Sequence, residues 1–128
     1  MRGGVWYSEE LEAHRDKLKE YAETALKILD RIAEDLVNIE RTLFDKQLEN
    51  DLTQLAEKLS DLASLGFSAA VAYAEKAKLL ARYATAVRHR MISLGSTRGI
   101  SRFRDDVLQH IVDIRRFIES VLAQLRAA

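Results

Sequence analysis

The sequence predicts an all-α protein: an antiparallel bundle of three to four helices around a long N-terminal helix. The composition points there first. The 128 residues contain no Pro and only five Gly, and are rich in Ala, Leu, Glu, Lys and Arg. Apolar periodicity points the same way. Leu11, Leu18, Ala25, Ile32 and Ile39 form one heptad column, and Ala22, Leu29, Leu36 and Leu43 a second one four residues on. This coiled-coil-like seam holds for more than four heptads without interruption. The third observation is that later apolar runs keep helical spacing and are separated by turn residues. A chain of this length is expected to be one domain, 1–128.

The first helix is expected over about 8–44. Gly3 and Gly4 make a flexible lead, Ser8 suits the N-cap, and Glu9, Glu10 and Glu12 suit the positive end of the helix dipole. Tyr7 is placed to staple back onto the first turn, and Trp6 to close an end of the bundle. At ~1.5 Å per residue the helix is roughly 55 Å long. Its seam (Leu11, Leu18, Leu29, Ile32, Leu36, Ile39) therefore needs long partners and is expected to serve a homo-oligomer, a dimer first, as well as the bundle.

Beyond Leu43 the column resumes out of register at Leu48, Leu55 and Leu62. A turn or kink is expected between Asp45 and Asp51, with Asp51 capping a second helix (51–65) and Gln54 completing a capping box. Gly66 then fits a left-handed helix ending followed by the apolar Phe67. Ser68 is expected to cap a third helix (69–94) whose columns are Ala70, Ala77, Ala84, Met91 and Tyr73, Leu80, Val87, Leu94. Its alanines permit close helix approach. Gly95 to Gly99 form a loop without phosphate-loop spacing. Ser101 is expected to cap the last helix (101–127), with the seam Val107, Ile111, Ile114, Ile118, Val121, Leu125, and Asp105 and Asp106 near its positive end.

With no Cys there is neither a disulfide framework nor thiolate metal ligation. The N-terminus lacks a signal-like apolar core, and the longest uncharged run, 62–74, is too short to span a bilayer, so the cytoplasm is the expected compartment and no membrane partner is expected. His14, His89 and His110 fall in no metal-binding motif, so neither a metal nor a cofactor is expected.

The net charge of zero hides a segregation. Residues 1–75 carry 16 acids and 9 bases, whereas 76–104 carry eight bases (Lys76, Lys78, Arg82, Arg88, Arg90, Arg98, Arg102, Arg104) and no acid. Two readings stand. The bases ring a hairpin tip where guanidinium groups bind phosphates, with Tyr83 and Phe103 for base stacking. Alternatively they pair with the acidic first half, within the bundle or across a dimer. The candidate anion or nucleic-acid contacts are Lys78, Arg82, Arg88, Arg90, Arg98, Arg102 and Arg104.

In the run Phe103-Arg104-Asp105-Asp106-Val107-Leu108-Gln109-His110, an Arg is followed by a polar residue and, six positions on, by a His. It resembles the R-x4–6-H motif of HEPN ribonucleases, small helical bundles that pair their motifs across a dimer. The resemblance implies that Arg104 and His110 orient an RNA phosphate and assist attack by its 2′-hydroxyl. A broader pattern covers 55–127: an Ala/Tyr/Lys-rich helix (Ala69 to Tyr83), a Gly-Ser/Thr turn, and a final helix ending Arg116-Phe117-Ile118-Glu119-Ser120-Val121-Leu122-Ala123-Gln124-Leu125-Arg126. It resembles small all-helical phage proteins encoded among single-strand recombination and replication genes. That resemblance implies a nucleic-acid-associated accessory role.

The leading expectation is thus a non-enzymatic binding or assembly protein, of phage or bacterial origin. It contacts single-stranded nucleic acid or an acidic partner through the basic hairpin 76–104. The alternatives are a HEPN-like ribonuclease using Arg104 and His110, and a protein-directed inhibitor or adaptor. The last would present the acidic face Glu9, Glu12, Asp16, Glu20 and Glu23 to a nucleic-acid-binding host protein.

Overall fold

The two heptad columns of the N-terminal helix turn inward: Leu18, Ala22, Ala25, Leu29, Ile32, Leu36, Ile39 and Leu43 are all buried. A computed structural model describes the backbone of residues 4–94 and 98–127 and the side chains of residues 12–91 and 99–127. The described residues form helices joined by turns, with no strand: α1 Gly4–Val37, α2 Ile39–Phe44, α3 Gln47–Ser64, α4 Ala70–Leu94 and α5 Arg98–Ala127. The protein is an all-α helical bundle, and among the described residues no helix is long and apolar enough to cross a membrane.

The four long helices pack as a square. α1 lies beside α3 and α5, α4 lies beside the same two, and α1/α4 and α3/α5 occupy the diagonals. All neighbours run antiparallel. Lys58 sits over the Tyr21 ring while Arg31 reaches Gln54, Glu49 meets Arg88, Tyr73 stacks on Phe117, and Arg15 donates to the Leu125 carbonyl at 2.8 Å while Arg115 pairs with Asp30 at 2.6 Å. α2 touches all four and closes the end where α1 and α4 finish. α3 and α4 make the most extensive contact. Leu48, Leu52, Leu55, Leu59 and Leu62 of α3 face Ala70, Ala74, Ala77, Ala81 and Ala84 of α4, all buried, and each buried leucine contributes about 1.5–3 kcal/mol.

The expected helix 8–44 is two helices. Asn38 leaves the helical region (φ −116°, ψ 47°). The Asp35 carbonyl instead accepts from Asn38 N (3.2 Å) and from the buried Thr42 hydroxyl (2.8 Å). Thr42 thereby satisfies an acceptor that the break would orphan. At the other end the backbone is helical from Gly4, so Ser8 lies inside α1 and is not its cap. The side chains of Trp6, Tyr7 and Leu11, and the expectations placed on them, lie outside the described residues.

The chain reverses at Asp45–Lys46, within the expected window, but Asp51 does not cap α3. Lys46 takes a left-handed conformation (φ 67°) as N-cap, and Asp45 Oδ1 accepts from Gln47 N at 3.0 Å. A side-chain oxygen and one left-handed residue, at ~1–2 kcal/mol for a non-glycine, complete the turn in two residues. Asp51 is left inside α3, facing α1.

Gly66 (φ 126°) ends α3 as expected. Phe67 N donates to Leu62 O (3.1 Å) and Gly66 N to Ala63 O (3.3 Å), with the Phe67 ring buried over the ending. α4 starts at Ala70, two residues after Ser68. The expected loop 95–99 shrinks because α5 begins at Arg98, so Ser101 lies inside the helix. An early start sets Ile100, Phe103 and Val107 on one inward face, and all three are buried.

From Leu18 onward, the seam assigned to an oligomer is filled by the chain itself, and Leu11 lies outside the described side chains. Leu18, Leu29 and Ile32 have no exposed surface, and Leu36 and Ile39 almost none. At these five positions almost no apolar surface is left for a second chain.

Candidate functional site

Where α4 ends and α5 begins, the two helices part around an open groove of about 630 Å³. Helical spacing builds each wall. Tyr83, Val87 and Arg90 follow one another at i, i+4 and i+7 along α4. On α5, Gly99 and Phe103 are four apart, as are Arg102 and Asp106. Ile100 and Phe103 are buried and, with the half-buried Val87, make the apolar floor, while Ala86 is exposed at its edge. Arg90, Arg102, Asp106 and the half-exposed Tyr83 make the rim.

The seven basic residues expected to act together divide into groups. Arg90 and Arg102 meet at the groove, and neither has an ion-pair partner among the described residues. Arg88 is diverted inward. Its side chain is 13% exposed and pairs with Glu49 of α3 at 3.7 Å, and the Thr85 hydroxyl donates to the same carboxylate. For Arg88 the pairing of the basic zone with the acidic half is therefore realised within the chain, and it is not a free anion contact. Lys78 pairs with Glu75 at 3.5 Å and lies with Arg82 over the α3–α4 seam beside Glu49 and Thr53, on the flank away from the groove. Arg104 is two residues from Arg102, roughly 200° around the helix, and approaches Asp105 at 4.0 Å. The Arg98 side chain lies outside the described residues.

Of the two aromatic residues expected to stack on bases, Tyr83 presents a free face. Phe103 is enclosed in the floor and offers none. Asp106 and Val87 belong to the groove and were read from sequence only as a helix-terminal and a core position, while Ile100, also in the groove, had no role assigned from sequence. The legible signal for Asp106 was its i+4 spacing from Arg102. His110 is half-buried with Nδ1 enclosed and without a hydrogen-bond partner among the described residues. It lies six positions beyond Arg104, about 120° around α5.

A second polar cluster, unforeseen, sits at the α1–α2–α3 corner. Asp35 and Asp51 are only 1% and 7% exposed, and each keeps a buried Oδ2 with no donor. Gln47 Nε2 donates to Asp35 Oδ1 at 2.8 Å, and Arg31 stands 3.5 Å from Asp51 Oδ1. Burial pushes the Asp35 carboxyl up from 3.8 to about 8. Its hydrogen bond with Asp51 and that residue's charge add to the rise, Gln47 opposes it, and the charge of Asp45 contributes least. Asp35 is therefore held protonated near neutral pH, and its proton supplies the donor the two carboxyls lack.

Among the described residues no group of three or more His, Asp or Glu side chains is placed to hold a metal ion. No model of a known protein family, no curated protein and no solved structure matches this chain.

Proposed function

We propose that this protein is a non-enzymatic binding protein that receives single-stranded nucleic acid in the α4–α5 groove. Phosphates lie on Arg90 and Arg102, and a base on Tyr83. One observation carries the reading: two guanidinium groups with no ion-pair partner among the described residues and an exposed aromatic ring line one groove with an apolar floor. Guanidinium forks bind phosphate oxygens bidentately, and stacking on an aromatic side chain contributes about 1–3 kcal/mol per base. A duplex keeps its bases stacked inside, whereas a single strand can turn one into a groove between helices.

Among the described residues two free arginines face the groove, and the electrostatic contribution they make is small. With two phosphates neutralised, log K falls with log salt at a slope of about −1.4, or roughly sevenfold from 50 to 200 mM. The test is fluorescence anisotropy with labelled single-stranded DNA, single-stranded RNA and duplex DNA across that range. Single strands are expected to bind with this shallow slope, and the Arg90→Ala/Arg102→Ala variant to lose binding. Unchanged affinity in that variant, or a duplex bound as tightly as a single strand, overturns the reading. No binding at low salt replaces nucleic acid with an acidic protein partner. Loss of the RNA probe transfers the function to Arg104 and His110 as a ribonuclease pair.

A further inference from the structure

The groove carries one group that phosphate binding does not need. Asp106 lines it beside Arg90 and Arg102, and has neither an ion-pair nor a hydrogen-bond partner among the described residues. Some acids of the bundle meet bases, Glu49 with Arg88, Asp51 with Arg31, Asp30 with Arg115 and Glu75 with Lys78; Asp106 is an acid unpaired among the described residues and placed in the groove beside two arginines. A free carboxylate on the rim of an anion-binding groove repels phosphate unless it makes a contact of its own. That contact must come from N–H donors, since an ionised carboxylate only accepts.

Among the bases, guanine alone offers two adjacent donors, N1–H and the 2-amino group, matched to the two oxygens of one carboxylate. Adenine and cytosine set an acceptor beside their amino group, and thymine and uracil flank a single N–H with carbonyls. Each of those places a lone pair against Asp106. The groove's volume falls within the ~300–1,000 Å³ typical of small-ligand sites.

We propose that the α4–α5 groove selects guanine: Asp106 accepts from N1–H and the 2-amino group, the ring lies against Tyr83, and Arg90 and Arg102 hold the adjoining phosphates. The proposal rests on the nucleic-acid reading of the groove and adds the identity of the base. Carboxylate and amide pairings of this kind discriminate between bases by about 1–3 kcal/mol, so roughly five- to 150-fold in affinity.

The experiment uses the full chain and short labelled thymidine oligonucleotides carrying one central guanine, hypoxanthine, adenine or cytosine, with an all-thymidine control. The guanine probe is expected to bind about tenfold tighter than the control or more. Hypoxanthine, which keeps N1–H but lacks the 2-amino group, should lose most of that gain. Asp106→Asn should bring the guanine-to-control ratio close to one, with Arg104→Ala, outside the groove, retaining it. Circular dichroism confirms the folds of both variants. Equal affinity of the native protein for all probes overturns base selection and leaves the groove reading standing. So does an Asp106→Asn variant that tightens every probe alike, which would make Asp106 a simple repulsive charge. Failure of every probe to bind overturns the groove reading and this proposal together.

Discussion

The Asp35 carboxyl is hydrogen-bonded to that of Asp51, two acids from α1 and α3 buried side by side at the corner where the long N-terminal helix breaks. One proton makes the arrangement tenable, because two ionised carboxylates whose buried Oδ2 atoms have no donor would repel each other across the corner they share.

Stability should therefore decline with rising pH through this pair. The unfolded Asp35 titrates near 3.8 and the folded one near 8. Between those values the folded state binds the extra proton. The contribution is fully present below about pH 4, falls as pH rises, and is lost above about pH 8. Its size is on the order of a few kcal/mol. Urea unfolding at about pH 6 and pH 9 should show the native protein losing stability and Asp35→Asn, which keeps a donor toward Asp51, losing much less. Parallel pH dependences in the two would refute the shared proton.

Arg88 and Arg102 carry the same charge in opposite roles. Arg88→Ala removes the partner of a largely enclosed Glu49 and should cost about 1–3 kcal/mol of stability, with single-strand affinity intact. Arg102→Ala, exposed on the groove rim, should leave stability within ~0.5 kcal/mol and weaken binding. Thermal unfolding and anisotropy on both variants separate the two effects, and an exchange of phenotypes would contradict the partition of the basic residues.

Ile32 tests where the N-terminal seam does its work. It is fully buried within one chain, so Ile32→Ala should cost about 2–5 kcal/mol. The unfolding midpoints of the native and variant proteins should both be independent of protein concentration. A midpoint rising with concentration would show that a second chain contributes to the fold.

Much of the local structure was legible because periodicity and glycine report it directly. Leu18, Ala25 and Ile32 recur at heptad spacing and are buried, and the Gly66–Phe67 ending of α3 was readable from two residues. The turn at Lys46 was legible only as a window, since a lysine carries no sign of a left-handed conformation. Asp51 misled for a related reason. Asp is both a common cap and, beside a protonated carboxyl and an arginine, a tolerable core residue, and only the neighbours on α1 decide between the two.

The sequence by itself determined that the chain is helical, where its apolar faces lie, and that 76–104 is a basic stretch without an acid, because these are properties of spacing and order along the chain. The tertiary structure alone decided which bases are free. Glu49 reaches Arg88 from a helix 39 positions away in sequence, while Arg90 and Arg102 are left open on the rim of one groove with Asp106. Charge pairing between helices depends on which faces meet and how far apart the axes stand. Packing sets both, and neither is written in any single stretch of the chain.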